Sequence, residues 1–146
     1  MSLPIRRYMT ASPRTIGKDQ TLTVAHHMMR EGRLRHLPVL DGGKLVGILS
    51  LRDLHLIETL RDVDPDTATV EEAMTMDVYV TEPTTPLEQV AATMAEYKYG
   101  SAVIVDRGKI AGVFTTVDAL FALADILHDP PQARPTLRLA GTKHSG

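Results

Sequence analysis

The sequence predicts an α/β chain, more closely α+β, built from two copies of one strand–helix–strand–strand–helix unit. Three observations carry that reading. A shift of 65 residues lays positions 9–58 on 74–123 without a gap, and ten of the fifty pairs are identical, among them Met9/Met74, Thr10/Thr75, Gly47/Gly112 and Asp53/Asp118. Unlike pairs keep their character, as in Val39/Ile104, Ile48/Val113 and Ser50/Thr115. In both copies a stripe of apolar residues at helical spacing precedes two short runs of β-forming residues around a Gly-containing turn.

Each element has its own signal. A leading strand is expected over residues 13–17, then a helix whose buried stripe is Leu22, Ala25 and Met29, with Asp19 or Thr21 as a better cap than Gln20. His36-Leu37-Pro38-Val39-Leu40 and the run 44–49 flank Asp41-Gly42-Gly43, a hairpin signal, and a second helix begins at Ser50. Residues 62–67 form a polar linker, and Thr69-Val70-Glu71-Glu72 is a capping box opening a short helix into Met74. The second copy repeats the order. A leading strand covers 78–82, and Thr85-Pro86-Leu87-Glu88 opens a helix with Thr as cap and Pro at the first helical position, its stripe being Leu87, Val90, Ala91 and Met94. A hairpin over 101–114 turns at Asp106-Arg107-Gly108, and a last helix starts at Thr115. Asp129-Pro130-Pro131 stops that helix. The expected division is therefore 1–65 for the first repeat with its N-terminal segment, 66–128 for the second, and 129–146 for a loose tail. Neither copy has enough apolar faces to close a core alone, so the two are expected to pack together.

The 146 residues, 43% hydrophobic and 23% charged, have an ordinary globular balance, and a chain of this size buries roughly 68% of its unfolded surface. With no Cys, disulfides, thiol nucleophiles and thiolate zinc sites are excluded. A net charge of -2 argues against a grip on nucleic acid polymers. Neither a secretory leader nor an apolar run of about 18 residues is present, so no membrane and a cytoplasmic location are expected. Charge is uneven: residues 1–64 carry ten Lys and Arg against seven Asp and Glu, whereas 65–146 carry six against eleven. An anionic ligand would be better received by the first half.

Leu-Pro-Val-Leu-Asp-Gly-Gly-Lys-Leu-Val-Gly-Ile-Leu-Ser-Leu-Arg-Asp-Leu, with Met-Thr and a Met-containing helix before it, resembles a CBS domain. The second copy, with Ser-Ala-Val-Ile-Val-Asp and Gly-Val-Phe-Thr-Thr-Val-Asp-Ala, resembles another; together they cover about residues 5–127. The resemblance implies two βαββα repeats packed around a pseudo-two-fold axis. It also implies a non-catalytic regulatory module with up to two clefts for an adenosine-containing ligand (AMP, ADP, ATP, S-adenosylmethionine or a cyclic dinucleotide), commonly a homodimer. With nothing attached to the pair, the output would pass to an unknown protein effector or through dimerisation.

The resemblance places Asp53 and Asp118 on ribose hydroxyls and Ser50 and Thr115 near phosphate. Backbone at His36, Leu37 and Pro38, and at Ala102 and Val103, would meet the adenine edge. Ile16 and Val80 of the leading strands would line the base, each equally suited to plain core, and Thr15 is a further binding candidate. The chemistry suits these roles, since a carboxylate accepts from two adjacent hydroxyls and a helix start offers N–H groups and partial positive charge to a phosphate. Ser-x-x-Asp and Thr-x-x-Asp are equally the spacing of a helix cap. Arg33, Arg35, His36 and Arg52 make a basic cluster in copy one that copy two, with Lys98, Gly100 and Ser101, lacks. Adjacent His26 and His27 point apart on a helix and lack the spacing of metal ligands, and Met28, Met29 and Met94 are core filling. No catalytic constellation is present. Besides the sensor, a ligand-free interaction module with both motifs as plain caps fits the residues, and an enzyme fits only with catalytic groups from a partner.

Overall fold

The computed structural model describes residues 3–60 and 62–128; the expected tail over 129–146 and the Pro stop lie outside them. Contacts divide the chain into two units, residues 12–80 and a second made of 3–11 with 81–128.

In the first unit, β2 (Ile16–Gly17) lies parallel to β3 (His36–Asp41), which pairs antiparallel with β4 (Lys44–Ser50). Gly42 and Gly43 both take positive φ, as the two-residue hairpin turn demands. Helix α1 (Leu22–Gly32) is capped by Thr21, whose hydroxyl accepts from the Val24 N–H at 3.3 Å. It buries Leu22, Ala25 and Met29 as the stripe predicted. With Leu37, Val39, Leu49 and Leu54 of β3, β4 and α2 (Leu51–Leu60), these form one apolar core. Helix α3 (Val70–Ala73) has the predicted capping box, the Thr69 N–H donating to Glu72 Oε2 at 3.0 Å. It supplies Val70, fully buried, to the same core.

The second unit repeats this with β5 (Val80–Thr81), α4 (Leu87–Tyr97), β6 (Ser101–Asp106), β7 (Lys109–Thr115) and α5 (Thr116–His128). Its sheet has the order β1-β7-β6-β5, because β1 (Thr10–Ala11) comes from the start of the chain. The leading strands are shorter than expected, two residues each. The start of α4 also differs from the reading. Pro86 is the cap residue and makes no side-chain bond, while Thr85 Oγ1 receives the Thr81 hydroxyl at 2.7 Å and so ties β5 to the turn before α4.

A segment the hairpin patterns did not reveal completes each unit. Residues 3–11, including a single 3-10 turn at Ile5–Arg7, sit on the second unit as 68–76 sit on the first. The Ile5 N–H donates to Thr85 O and the Val70 N–H to Gln20 O, both at 2.8 Å, and each pair maps onto the other under the same shift of 65. Thr10 pairs with Val113 and Thr75 with Ile48, also equivalent positions.

Two glycines make that approach possible. A Cβ at Gly112 would run into the Met9 side chain and lie 2.9 Å from the Thr10 carbonyl; at Gly47 it would lie 2.6 Å from Met74 Sδ and 3.0 Å from the Thr75 carbonyl. Side chains can move aside, but a paired backbone cannot. Gly112→Ala is therefore expected to cost about 1–3 kcal/mol, the usual range for overpacking. Urea denaturation checks this, and an unchanged midpoint would mean the N-terminal segment is not seated on β7.

Candidate functional site

Both Ser/Thr-x-x-Asp motifs fall where a strand turns directly into a helix. At the start of α2 the Ser50 N–H donates to Asp53 Oδ2 at 3.0 Å, and the Asp53 N–H donates to Ser50 Oγ at 3.0 Å. At the start of α5 the Thr115 N–H donates to Asp118 Oδ2 at 2.9 Å, the Asp118 N–H donates to Thr115 Oγ1 at 3.3 Å, and the Thr115 hydroxyl lies 3.2 Å from the same Oδ2. These are reciprocal capping boxes, so the cap reading describes real bonds. They do not exhaust a carboxylate, which has two oxygens and about four lone-pair positions.

A further hydroxyl reaches each carboxylate. Thr75 Oγ1 lies 3.3 Å from Asp53 Oδ1 and 3.4 Å from Oδ2, and Thr10 Oγ1 lies at the same two distances from the oxygens of Asp118. Sequence reasoning gave these threonines no role. Their signal was identity: Met9-Thr10 and Met74-Thr75 recur in register with the Asp they meet.

The other candidates separate by burial. Ser50, Thr115, Asp53, Asp118, Thr15 and His36 are half-buried, and Arg52 is exposed. Pro38, Leu37, Ala102 and Val103 are buried, so only their backbone can meet a ligand. On the leading strands, Ile16 is part of the first unit's core and its counterpart Thr81 is half-buried, while Val80, the counterpart of half-buried Thr15, is 46% exposed. The helix start is also less open than its type suggests, since the Ser50, Leu51 and Asp53 N–H groups are taken by Asp53, the Arg35 carbonyl and Ser50. Arg33, Arg35 and Arg52 are exposed in the first unit, and Val117 holds the Arg52 position in α5.

Other polar contacts tie elements together. Lys18 lies 3.6 Å from Glu71, 3.9 Å from Asp41 and 4.0 Å from Asp19; chiefly Glu71, then Asp41 and Asp19, hold its ammonium above the ordinary lysine value. Tyr8 donates to Asp125 at 2.8 Å, and burial first, then that bond, raises its phenol. His26 pairs with Glu58 at 2.7 Å and His27 with Glu31 at 3.4 Å. Among the described residues no three His, Cys, Asp or Glu are grouped to hold a metal ion, and no helix is long and apolar enough to cross a membrane.

The geometry meets its relatives at this point. The model of the CBS domain matches residues 5–56 and again 70–125. The chain belongs to the CBS-domain family. Both matched segments begin at the residue that seats the leading segment, Ile5 and Val70. This CBS pair is 27% identical over 114 residues to Hypoxic response protein 1 of Mycobacterium tuberculosis, covering 77% of this chain and 80% of that protein. It superposes on AcuB from Vibrio cholerae with a TM-score of 0.80 at 28% identity, over 92% of this chain and all of that one. A CBS pair of the protein MJ0100, solved with 5′-methylthioadenosine and S-adenosylmethionine, matches with a TM-score of 0.76 at 24% identity, over 86% of this chain and 98% of that one. As a CBS pair, the chain has the mixed α/β fold of that family.

Proposed function

We propose that this CBS pair is a non-catalytic sensor of an adenosine-containing ligand, held through the Asp53 carboxylate and in the second unit through Asp118. The observation that carries the reading is the repeated carboxylate at a strand-to-helix turn, already aimed by its cap and still able to accept hydroxyls. Arg33, Arg35 and Arg52 favour a phosphate in the first unit by charge-assisted bonds. The adenosyl ligands of the MJ0100 pair are of the same class. Sensing requires the ligand to favour one arrangement of the module over another, which is then read by a protein partner or through dimerisation.

Thermal unfolding with AMP, ADP, ATP, S-adenosylmethionine, NADH and cyclic di-AMP, each alone, tests this. A ligand at 100 times its dissociation constant stabilises by about 2.7 kcal/mol. Asp53→Ala is expected to abolish that gain at the first site while costing about 0.5–2 kcal/mol of stability as a lost cap. Nucleotide affinity unchanged in that variant would end the assignment.

One observation favours the second reading, a ligand-free dimerisation module. Helix α5 exposes Val117, Leu120, Phe121, Leu123 and Leu127, while the α2 counterparts of the first four are Arg52, His55, Leu56 and Glu58. An apolar face gained in one copy suits contact with a second chain. This reading predicts a concentration-dependent dimer and no thermal shift with any of the six compounds.

A further inference from the structure

We propose that Thr75 and Thr10 compete with the ligand for the Asp53 and Asp118 carboxylates, so that an occupied site frees the threonine side chain from the carboxylate and loosens the tie between its segment and the helix start. The proposal rests on the diol-accepting reading of the two aspartates. Each Thr hydroxyl sits nearly equidistant from both carboxylate oxygens, 3.3 and 3.4 Å, on the bisector of the fork. That is the position from which one group addresses both oxygens, and a vicinal diol giving one hydrogen to each needs the same place. The Ser50 and Thr115 N–H groups already aim the carboxylates at 3.0 and 2.9 Å, so the threonines are not required to orient them. Their bonds are long, shared and exposed, which makes them easy to exchange.

What the exchange loosens is specific. Thr75 is also held by two backbone bonds to Ile48, both 2.9 Å, and lies five residues before Val80, where the chain leaves the first unit. Thr10 precedes Ala11, the last residue before the chain enters that unit. The crossing after Ala11 therefore begins beside Thr10, and the crossing after Val80 lies five residues beyond Thr75. Loss of that bond reports occupancy to the connector.

The test measures AMP and 2′,3′-dideoxy-AMP affinity by calorimetry, with Asp118→Asn silencing the second site. Thr75→Val keeps the branched shape and removes the hydroxyl; it is expected to tighten AMP about three- to tenfold, the worth of one modest hydrogen bond. It should leave 2′,3′-dideoxy-AMP unchanged, because a ribose with no hydroxyl does not displace the threonine from the fork, and Thr75→Ser should behave as wild type. A merely structural threonine would not distinguish the two nucleotides. AMP affinity unchanged or weakened in Thr75→Val, with Asp53 still required, overturns the competition and leaves the sensor reading standing. AMP binding to neither protein removes both.

Discussion

A chain beginning at Ser12 is expected to lose the second unit's fold. Residues 3–11 supply Ile5, fully buried, and the backbone bonds Ile5 to Thr85, Arg6 to Pro83 and Leu87 to Leu3. They also supply the β1 edge on β7 and the Tyr8 and Thr10 side-chain bonds to α5. Removing the Ile5 side chain alone costs about 2–5 kcal/mol. The bonds add about 0.5–1.5 kcal/mol each before any non-additivity. A domain's net stability is only about 5–15 kcal/mol, so the sum is enough to unfold a unit this small. Hydrogen exchange should show protection lost over 81–128, with Ile5→Ala giving a partial version of the same pattern. Full protection of β6 and β7 in the shortened chain would refute the seating of the N-terminal segment.

Phe114→Ala is expected to cost about 3–5 kcal/mol in chemical denaturation, the range for emptying a large aromatic site. Phe114 is fully buried and lies opposite Ala102 across β6 and β7; at the equivalent place in the first unit Leu49 lies opposite Leu37. Directly opposed residues share one face of a sheet, so each pair fills one volume, divided as large and small in one copy and evenly in the other. Phe114→Leu alone should leave a void. Adding Ala102→Leu rebuilds the first unit's pair and should recover part of the loss. A double variant no more stable than Phe114→Leu would show that the two volumes are not exchangeable.

Local features were legible in the residues because local physics determines them. The Asp41-Gly42-Gly43 turn, the Leu22, Ala25 and Met29 stripe, the Thr69 capping box and the two hairpins all follow from contacts within a few positions. The register of 65 made the repeat itself visible. Where tertiary contacts compete with propensity, the reading moved. Thr85 bonds back to β5 instead of capping α4, leaving Pro86 as the cap residue. Ile16, an apolar residue on a leading strand, serves the core or a ligand equally well by sequence, and in the structure it is buried with Leu22, Leu37 and Val70.

The sequence by itself determined that the chain holds two βαββα repeats, which residues pair between them, and that an acid stands at each strand-to-helix turn. The tertiary structure alone decided that the N-terminal segment seats on the second repeat's sheet and residues 68–76 on the first's. It also decided that this brings Thr10 to Asp118 and Thr75 to Asp53. The reason is physical. Periodicity and capping record short-range preferences, whereas pairing Thr10 with Val113 joins residues 103 apart, for which the chain carries no local signature beyond two glycines and a repeated Met-Thr.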